Sequence, residues 1–446
     1  MSSSSLGANF RKGAGVPAKP RLGIFSLGVA AGLYFTVQYL LIPISYWLWY
    51  DRSTSDSVFA LIVYSRIEAI GIDVTSTRAF GYAIVGLVAF LLGYAVIPKR
   101  GFVVMPNFIY REWPPSQVMP VYLIFFSGGF LLKFAKLAAG VPIPPYYDTL
   151  LGNPTLSWIL SFNWLHLIAL GVILVGYFHA RFVGHKRWRQ FRAVAYGTLA
   201  FVVGFSLVGG SDMATIIPIL IFVVARQFYY PIKFLKLGLY ILIFAAVEFI
   251  GKDLITSFIQ LSAGDSRGID EWSALKALLS ILIARVNMSH VFTTIVEGGA
   301  ASFSEGTLSQ FFVDLGIWSP PQGNVLDGNV FGRTLGLILP EDYMTGVATT
   351  NIGDYFINFG LAGIVLGMMF NGVAYKVIQL SFGSIRAPGA VLAFSMLWPI
   401  LIHGMESPVS ALYANAIKML ALVLVVHGII LLKLVPSGTY TYRTVT

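Results

Sequence analysis

The feature that most constrains this chain is a series of runs of about 20 mostly apolar residues, the length that a helix needs to cross a bilayer. Charged residues make up only 11% of the 446 residues. A soluble domain carries about 25% charged residues, and so few charges cannot cover a water-exposed surface. The sequence therefore predicts an all-α protein that crosses a membrane many times.

The apolar runs predict about ten transmembrane helices, within a range of about 10 to 12. The predicted spans are 22–49, 79–97, 119–139, 157–178, 193–210, 212–225, 234–251, 355–375, 389–404 and 408–432. The segment 274–296 is also apolar, but it carries Lys276, Arg285 and His290. It is predicted to be an amphipathic helix that lies against the membrane or dips into it.

Basic residues set the orientation of these spans. They concentrate in alternate connections, such as 181–192, whereas almost all acidic residues fall in the other connections. Because cytoplasmic connections are rich in lysine and arginine, both termini are predicted to lie in the cytoplasm. We interpret the net charge of +10 as this orientation plus attraction to anionic lipid, and we predict no nucleic-acid partner.

The spans divide the chain into five parts. We predict a disordered cytoplasmic N-terminus at 1–20, seven spans in 21–251, a large outer loop at 252–354, three spans in 355–435 and a cytoplasmic tail at 436–446. A connection as long as the outer loop is usually functional. We therefore expect the functional site where this loop meets the outer ends of the spans.

Composition excludes several kinds of chemistry. The chain has no cysteine, which rules out disulfides, thiol nucleophiles and cysteine-held clusters. Its six histidines are not spaced as metal ligands, and no phosphate-binding glycine motif is present. We therefore predict neither a bound metal nor a cofactor.

Arg285 is the leading candidate for substrate binding. It lies inside the apolar helix 274–296, where a cation is costly unless it faces protein or water. A planar guanidinium binds phosphate through two hydrogen bonds, but the residue can also be a structural arginine paired with an acid or reaching the interface. His290, on the same helix, is a further candidate for substrate binding.

Four more cations on the predicted outer side can bind an anion. Lys133 and Lys136 are three residues apart on the third span, so they share a face that binds either lipid headgroups or a lipid-linked substrate. Arg267 lies in a glycine-flanked loop that can cradle an anion. For Arg267 and Arg333 the alternative is a solvated loop charge.

Candidate proton acceptors lie at the outer ends of the last three spans. His403 and Glu406 are three residues apart in the connection between the ninth and tenth spans, and together they can transfer a proton. The alternative for Glu406 is a cap at the N-terminus of the tenth span. Asp354, at the start of the eighth span, poses the same choice between a base and a helix cap.

Several motifs between about 280 and 375 match one known family. They are Ala284-Arg285, Trp318-Ser319-Pro320-Pro321, Asn329-Val330-Phe331-Gly332, and the segment 353–363 that leads into a span. With these motifs and one long late outer loop among ten or more spans, the chain resembles the Wzy-type O-antigen polymerases, also called oligosaccharide repeat-unit polymerases.

The resemblance implies a GT-C-like polymerase/ligase architecture and a glycosyltransferase of the bacterial inner membrane whose site faces the periplasm. The donor would be a glycan on undecaprenyl pyrophosphate and the acceptor a lipid-linked repeat unit, with a chain-length-determinant protein as partner. Arg285, and then Arg333, would stabilise the pyrophosphate without a metal. Asp354, Glu406 or His403 would accept the proton of the acceptor hydroxyl.

The chain departs from related families at two places. O-antigen ligases usually have a histidine and an asparagine where this chain has Thr349 and Thr350, which argues against a ligase. Many relatives have an arginine in the tight hairpin where this chain has Asp212, so a second arginine from that hairpin is lacking here.

Two further functions stay open. Another polyprenyl-sugar-dependent glycosyltransferase would use an acid of the first outer loop, which offers Asp51, Asp56, Glu68 and Asp73. A lipid-linked oligosaccharide flippase or transporter would have polar residues and broken helices near the middle of the membrane. The hints of that pattern are Lys418, Glu248 and Pro218.

Overall fold

The computed structural model describes residues 22–41, 43–44, 76–98, 107–138, 164–208, 212–233, 236, 288–298, 311–312, 315 and 349–432. In this part of the chain the regular structure is helical. The helices are α1 (Leu27–Thr36), α2 (Thr77–Val96), α3 (Pro115–Ala138), α4 (Leu165–Phe182), α5 (Trp188–Val208), α6 (Asp212–Tyr229), α7 (Ser289–Glu297), α8 (Asn351–Phe382), α9 (Pro388–His403) and α10 (Val409–Leu431).

Six of these helices are long and apolar enough to cross a membrane: α2, α3, α4, α8, α9 and α10. They confirm six of the predicted spans as apolar helices of sufficient length. The first span is represented by α1 and a π-helical turn that continues it to Leu41, and the sixth by α6, both shorter. Apart from residue 236, the predicted span 234–251 lies outside the described residues.

Helices α2 and α8 pack so closely that only glycine fits between them. A Cβ atom added to Gly93 would lie 2.0 Å from the carbonyl oxygen of Met369. A Cβ atom added to Gly372 would lie 2.1 Å from the carbonyl oxygen of Phe90. Small residues of this kind let helix backbones approach each other inside a membrane, where packing rather than the hydrophobic effect drives association.

Helix α8 reverses direction at Gly360. This residue has φ 59° and ψ −147°, a conformation that is nearly restricted to glycine. Asn351 and Asn371 would lie about 30 Å apart in a straight helix, yet their side chains are hydrogen-bonded at 2.9 Å. The short arm of α8 (residues 351–359) therefore folds back along the long arm (residues 361–382). The predicted span 355–375 ran through this reversal without a break.

Connections that the charge pattern assigns to the cytoplasm meet at one end of the bundle. The Tyr110 hydroxyl donates to the carbonyl of Ser381 at 3.1 Å, and Arg386 Nε donates to the carbonyl of Phe228 at 2.8 Å. We call this the basic end, and the end that holds the connection between α9 and α10 the opposite end. That the opposite end faces the outer side stays a prediction from charge.

Helix α7 is the part of the predicted helix 274–296 that the structure describes, and it lies inside the bundle. Its residues 291–296 are all buried, mainly against α2 and the short arm of α8. The Phe292 ring contacts the rings of Tyr39 and Phe356 edge-on, at centroid distances of 6.2 and 6.4 Å. In these residues the chain is inserted between other helices of the bundle.

Candidate active site

Glu406 is the centre of a polar cluster at the opposite end of the bundle. It ends the 3-10 turn Gly404–Glu406 that joins α9 to α10, and it is buried. Its Oε1 atom accepts hydrogen bonds from the Tyr34 hydroxyl and the Gln38 side-chain amide, both from the α1 segment. The turn and the first helix together fix this carboxylate in one position.

His403 lies on the other side of the Glu406 carboxylate. Its Nδ1 atom is 3.2 Å from Glu406 Oε2, and its side chain is 35% exposed, whereas that of Glu406 is 12% exposed. His403 Nδ1 makes no hydrogen bond in this structure, so the carboxylate acts on the ring through its negative charge, which favours the protonated imidazole. The pair is thus an accessible imidazole backed by a fixed buried carboxylate.

The short arm of α8 holds the turn that carries Glu406. The Asn351 side-chain amide donates to the carbonyl of Gly404 at 2.8 Å and to the carbonyl of Ser407 at 2.5 Å. Because Gly404 and Ser407 flank Met405 and Glu406, Asn351 fixes both ends of the turn. The position of the His403–Glu406 pair therefore depends on the reversal of α8.

Asn371 of the long arm completes this support. Its amide donates to Asn351 Oδ1 at 2.9 Å, and its own Oδ1 accepts from Tyr355 at 2.8 Å and from Tyr413 at 2.5 Å. Asn371 lies eleven residues, or about 16 Å along the helix, from Phe382, where α8 reaches the basic end. This depth is near the middle of a bilayer hydrocarbon core about 30 Å thick. Polar groups at that depth are costly unless they bind one another, as these do.

Thr350, which precedes the short arm, has a strained backbone. Its φ of 62° and ψ of 159° fall in a region that is nearly restricted to glycine. Its hydroxyl accepts from the backbone N–H of Gly353 at 3.2 Å and so caps the helix, and the residue is fully buried. Strain of this kind occurs where surrounding contacts determine the backbone, often beside functional sites.

Asp354 caps the start of α10. Its Oδ2 accepts from the backbone N–H of Val409 at 3.0 Å, and its Oδ1 accepts from the Asn358 amide at 3.1 Å. The sequence interpretation of Asp354 as a cap concerned the start of its own span; in the structure Thr350 caps that start, and Asp354 accepts from the neighbouring helix α10. A catalytic role for Asp354 stays a prediction, although both of its oxygens are already occupied by these donors.

The other predicted site residues lie largely beyond what the structure describes. Arg267, Arg285 and Arg333 fall outside the described residues. Lys133, Lys136 and His290 lie on α3 and α7, and their side chains are outside the described part. The structure therefore places His403 beside Glu406 and Asp354 at the start of α10, and it does not test the predicted cations. Among the described residues, no three His, Asp or Glu side chains are grouped as metal ligands would be.

Sequence reasoning missed four polar residues that build this site: Tyr34, Gln38, Asn351 and Asn371. A signal was present for two of them, because Gln38 and Asn371 lie inside predicted spans, where an uncharged polar side chain needs a partner. Asn351 carried no such signal, since it fell in the predicted outer loop, and Tyr34, although inside the first predicted span, has a mostly apolar side chain and did not stand out.

Comparisons of the chain with protein-family models, with curated proteins and with solved structures gave no match. The fold itself defines the class: a helical membrane protein with a histidine–carboxylate pair at one end of its bundle.

Proposed function

We propose that this protein is a polysaccharide polymerase of the bacterial inner membrane. It transfers a growing glycan from undecaprenyl pyrophosphate to a sugar hydroxyl of a lipid-linked repeat unit on the periplasmic side. This activity makes it a glycosyltransferase that uses neither a metal nor a nucleotide sugar. The sequence resemblance supports the proposal, and the single structural observation that carries it is the His403–Glu406 pair.

In this proposal His403 is the general base. Its Nε2 accepts the proton of the acceptor hydroxyl, whose oxygen bonds to the anomeric carbon of the donor glycan. The bond between that carbon and the pyrophosphate oxygen breaks, and undecaprenyl pyrophosphate leaves with the bonding electrons. Glu406 stabilises the imidazolium that forms, because its carboxylate lies 3.2 Å from Nδ1.

Tyr34 and Gln38 act as positioning residues. They donate to the Glu406 oxygen that faces away from His403, so the carboxylate cannot rotate without losing both bonds. Asp354 is a weaker candidate for the base than His403, because its two oxygens accept from Val409 N and Asn358.

The leaving pyrophosphate requires positive charge in place of a metal. Arg285 and then Arg333 are the residues that we propose for this role, because a guanidinium binds phosphate with two parallel hydrogen bonds. Further candidate contacts to the lipid-linked substrate are Arg267, Lys133, Lys136 and His290. A chain-length-determinant protein is the partner that the polymerase proposal implies.

The proposal is tested in cells. The gene is deleted, and lipid-linked and surface polysaccharides are resolved by length on a gel. The strain is then complemented with wild type, His403→Gln, Arg285→Ala or the control His185→Gln, which changes a histidine in the turn between α4 and α5. We expect deletion to remove the long ladder and keep single repeat units, and we expect only wild type and His185→Gln to restore the ladder at equal protein level.

Other outcomes would identify other functions. Loss of even the single repeat unit from the surface would indicate a flippase, a ligase or an earlier transferase. An unchanged polysaccharide profile after deletion would contradict the whole polysaccharide proposal.

A second function, transport of a lipid-linked oligosaccharide, is favoured by the reversal of α8. Broken helices with polar groups near mid-membrane are typical of transporters, which usually carry them in both halves of a repeated fold. Here the reversal at Gly360 and the Asn351–Asn371 contact belong to one helix. Transport would not require an imidazole, so a His403→Gln variant with normal surface polysaccharide would favour this alternative.

A further inference from the structure

A groove at the basic end has no role in the proposed reaction. It has a volume of about 510 Å³ and is lined by Trp188, Arg189, Arg192, Ala193 and Tyr196, all in the first turns of α5. Arg189 and Arg192 are three residues apart, so they share a face of the helix, and both are exposed. The groove thus presents two guanidinium groups beside two aromatic rings.

The turn between α4 and α5 adds a third guanidinium next to the groove. Gly184 has φ 73°, and the backbone N–H of His185 donates to the carbonyl of Ala180 at 2.8 Å, which ends α4 in a Schellman motif. This turn directs the last residues of α4 toward the start of α5. As a result the Arg181 guanidinium lies 5.7 Å from the centroid of the Trp188 ring.

The charged side chains that line the groove are both positive. The guanidinium groups of Arg192 and Arg226 interact electrostatically with Tyr196, the residue at the inner limit of the groove. None of the five lining residues is acidic, and the sequence from 149 to 211 contains no aspartate or glutamate. Among the residues that the structure describes, an anionic ligand in the groove would therefore meet several cations and no lining carboxylate.

Beyond the arginines, the same face of α5 is apolar. Tyr196 is 42% exposed, and Gly197, Ala200 and Gly204, which follow it on this face, are also exposed. The opposite face of α5 packs on α4 and α6. The groove therefore changes from cationic to apolar along the helix, away from the basic end.

We propose that this groove binds an anionic phospholipid of the cytoplasmic leaflet. Arg189 and Arg192 hold the phosphate, and an acyl chain follows the apolar face past Tyr196. A guanidinium binds phosphate with two parallel hydrogen bonds, and a zwitterionic headgroup would leave the guanidinium charges uncompensated. The adjoining apolar face favours a lipid over a soluble phosphate, which would leave that face empty.

The test is native mass spectrometry of the purified full-length protein, with phosphatidylglycerol, phosphatidylcholine or inorganic phosphate added. Wild type is expected to retain phosphatidylglycerol and not phosphatidylcholine. Each arginine that contacts the anionic headgroup strengthens binding about fivefold, so Arg189→Gln with Arg192→Gln should weaken phosphatidylglycerol binding about 25-fold. Replacement of both arginines by lysine keeps the charge, so it should weaken phosphatidylglycerol binding less than the double glutamine variant does.

The control is Arg111→Gln, which changes an exposed arginine outside the groove. This variant should bind phosphatidylglycerol as wild type does.

Three results would overturn the proposal. The first is equal retention of phosphatidylglycerol and phosphatidylcholine by wild type, a comparison that needs no variant. The second is equal binding by the double glutamine variant and the Arg111→Gln control. The third is displacement of phosphatidylglycerol by inorganic phosphate alone, which would identify a soluble phosphate site.

Discussion

Asn351 and Asn371 are hydrogen-bonded at 2.9 Å although 20 residues of one helix separate them. The contact exists because α8 turns back at Gly360, and it connects the middle of the long arm to the turn that carries Glu406. A local reversal and a single pair of side chains therefore determine where the candidate catalytic pair lies.

Replacement of Asn371 by alanine should destabilise the protein. The change removes the bonds to Asn351, Tyr355 and Tyr413, and interhelical hydrogen bonds in membranes contribute about 0.6 kcal/mol each, so the expected loss is about 2 kcal/mol. The measurement is the apparent Tm of the purified protein in detergent. The control is Ser384→Ala, which removes a hydrogen bond to the carbonyl of Leu380 one turn away. Equal Tm values for the two variants would contradict the role of Asn371.

Gly360→Ala should prevent the reversal of α8. A Cβ atom is strained at φ 59° and ψ −147°, at a cost on the order of 1–3 kcal/mol, even though nothing lies within 4 Å of it. We expect lower yield of folded protein on size-exclusion chromatography. Gly428→Ala on α10 is the control, because that site is equally open and has no positive φ. A Gly360→Ala variant as stable as the control would mean that α8 does not turn at this residue.

Two glycines of α2 should respond differently to alanine. At Gly93 the new Cβ would lie 2.0 Å from the carbonyl oxygen of Met369, so α2 and α8 must move apart and the apparent Tm should fall. At Gly81 nothing lies within 4 Å, and alanine is the better helix former, so the Tm should stay or rise. Both Tm values are measured in the same detergent. If Gly81→Ala lowered the Tm as much as Gly93→Ala does, the close contact between Gly93 and Met369 would not be the cause of the loss.

Loss of the donors to Glu406 should lower activity more than stability. Tyr34→Phe together with Gln38→Leu frees the carboxylate to rotate away from His403, so the negative charge beside the imidazole is lost. We expect shorter polysaccharide chains in the complemented deletion strain at normal protein level. Tyr82→Phe, whose hydroxyl accepts a hydrogen bond from Arg78 Nε on α2, serves as control. Normal chain length in the double variant would exclude a positioning role.

Much of the helical architecture was predictable from the sequence, because a run of apolar residues long enough to span a bilayer has few alternatives. The contacts between helices were not. The reversal at Gly360 escaped prediction because apolar residues continue on both sides of it, and only its backbone angles distinguish it from the glycines within helices.

The candidate site was predictable where its residues are neighbours in sequence. His403 and Glu406 are three residues apart, and this spacing alone indicated a pair. Tyr34 lies 372 residues from Glu406, so its contact depends on how α1 packs against the turn between α9 and α10, which no local pattern encodes. Asp354 was recognised at the start of a helix, but the sequence could not show that it caps α10.

The most direct test of the central claim is elongation by the purified protein. The substrate is the lipid-linked repeat unit extracted from the deletion strain, and products are resolved by length together with the released undecaprenyl pyrophosphate. We expect wild type and His185→Gln to elongate the glycan, and His403→Gln to be slower by about 100-fold or more, as loss of a general base implies. No elongation by folded wild type, or elongation by His403→Gln at the wild-type rate, would contradict the account.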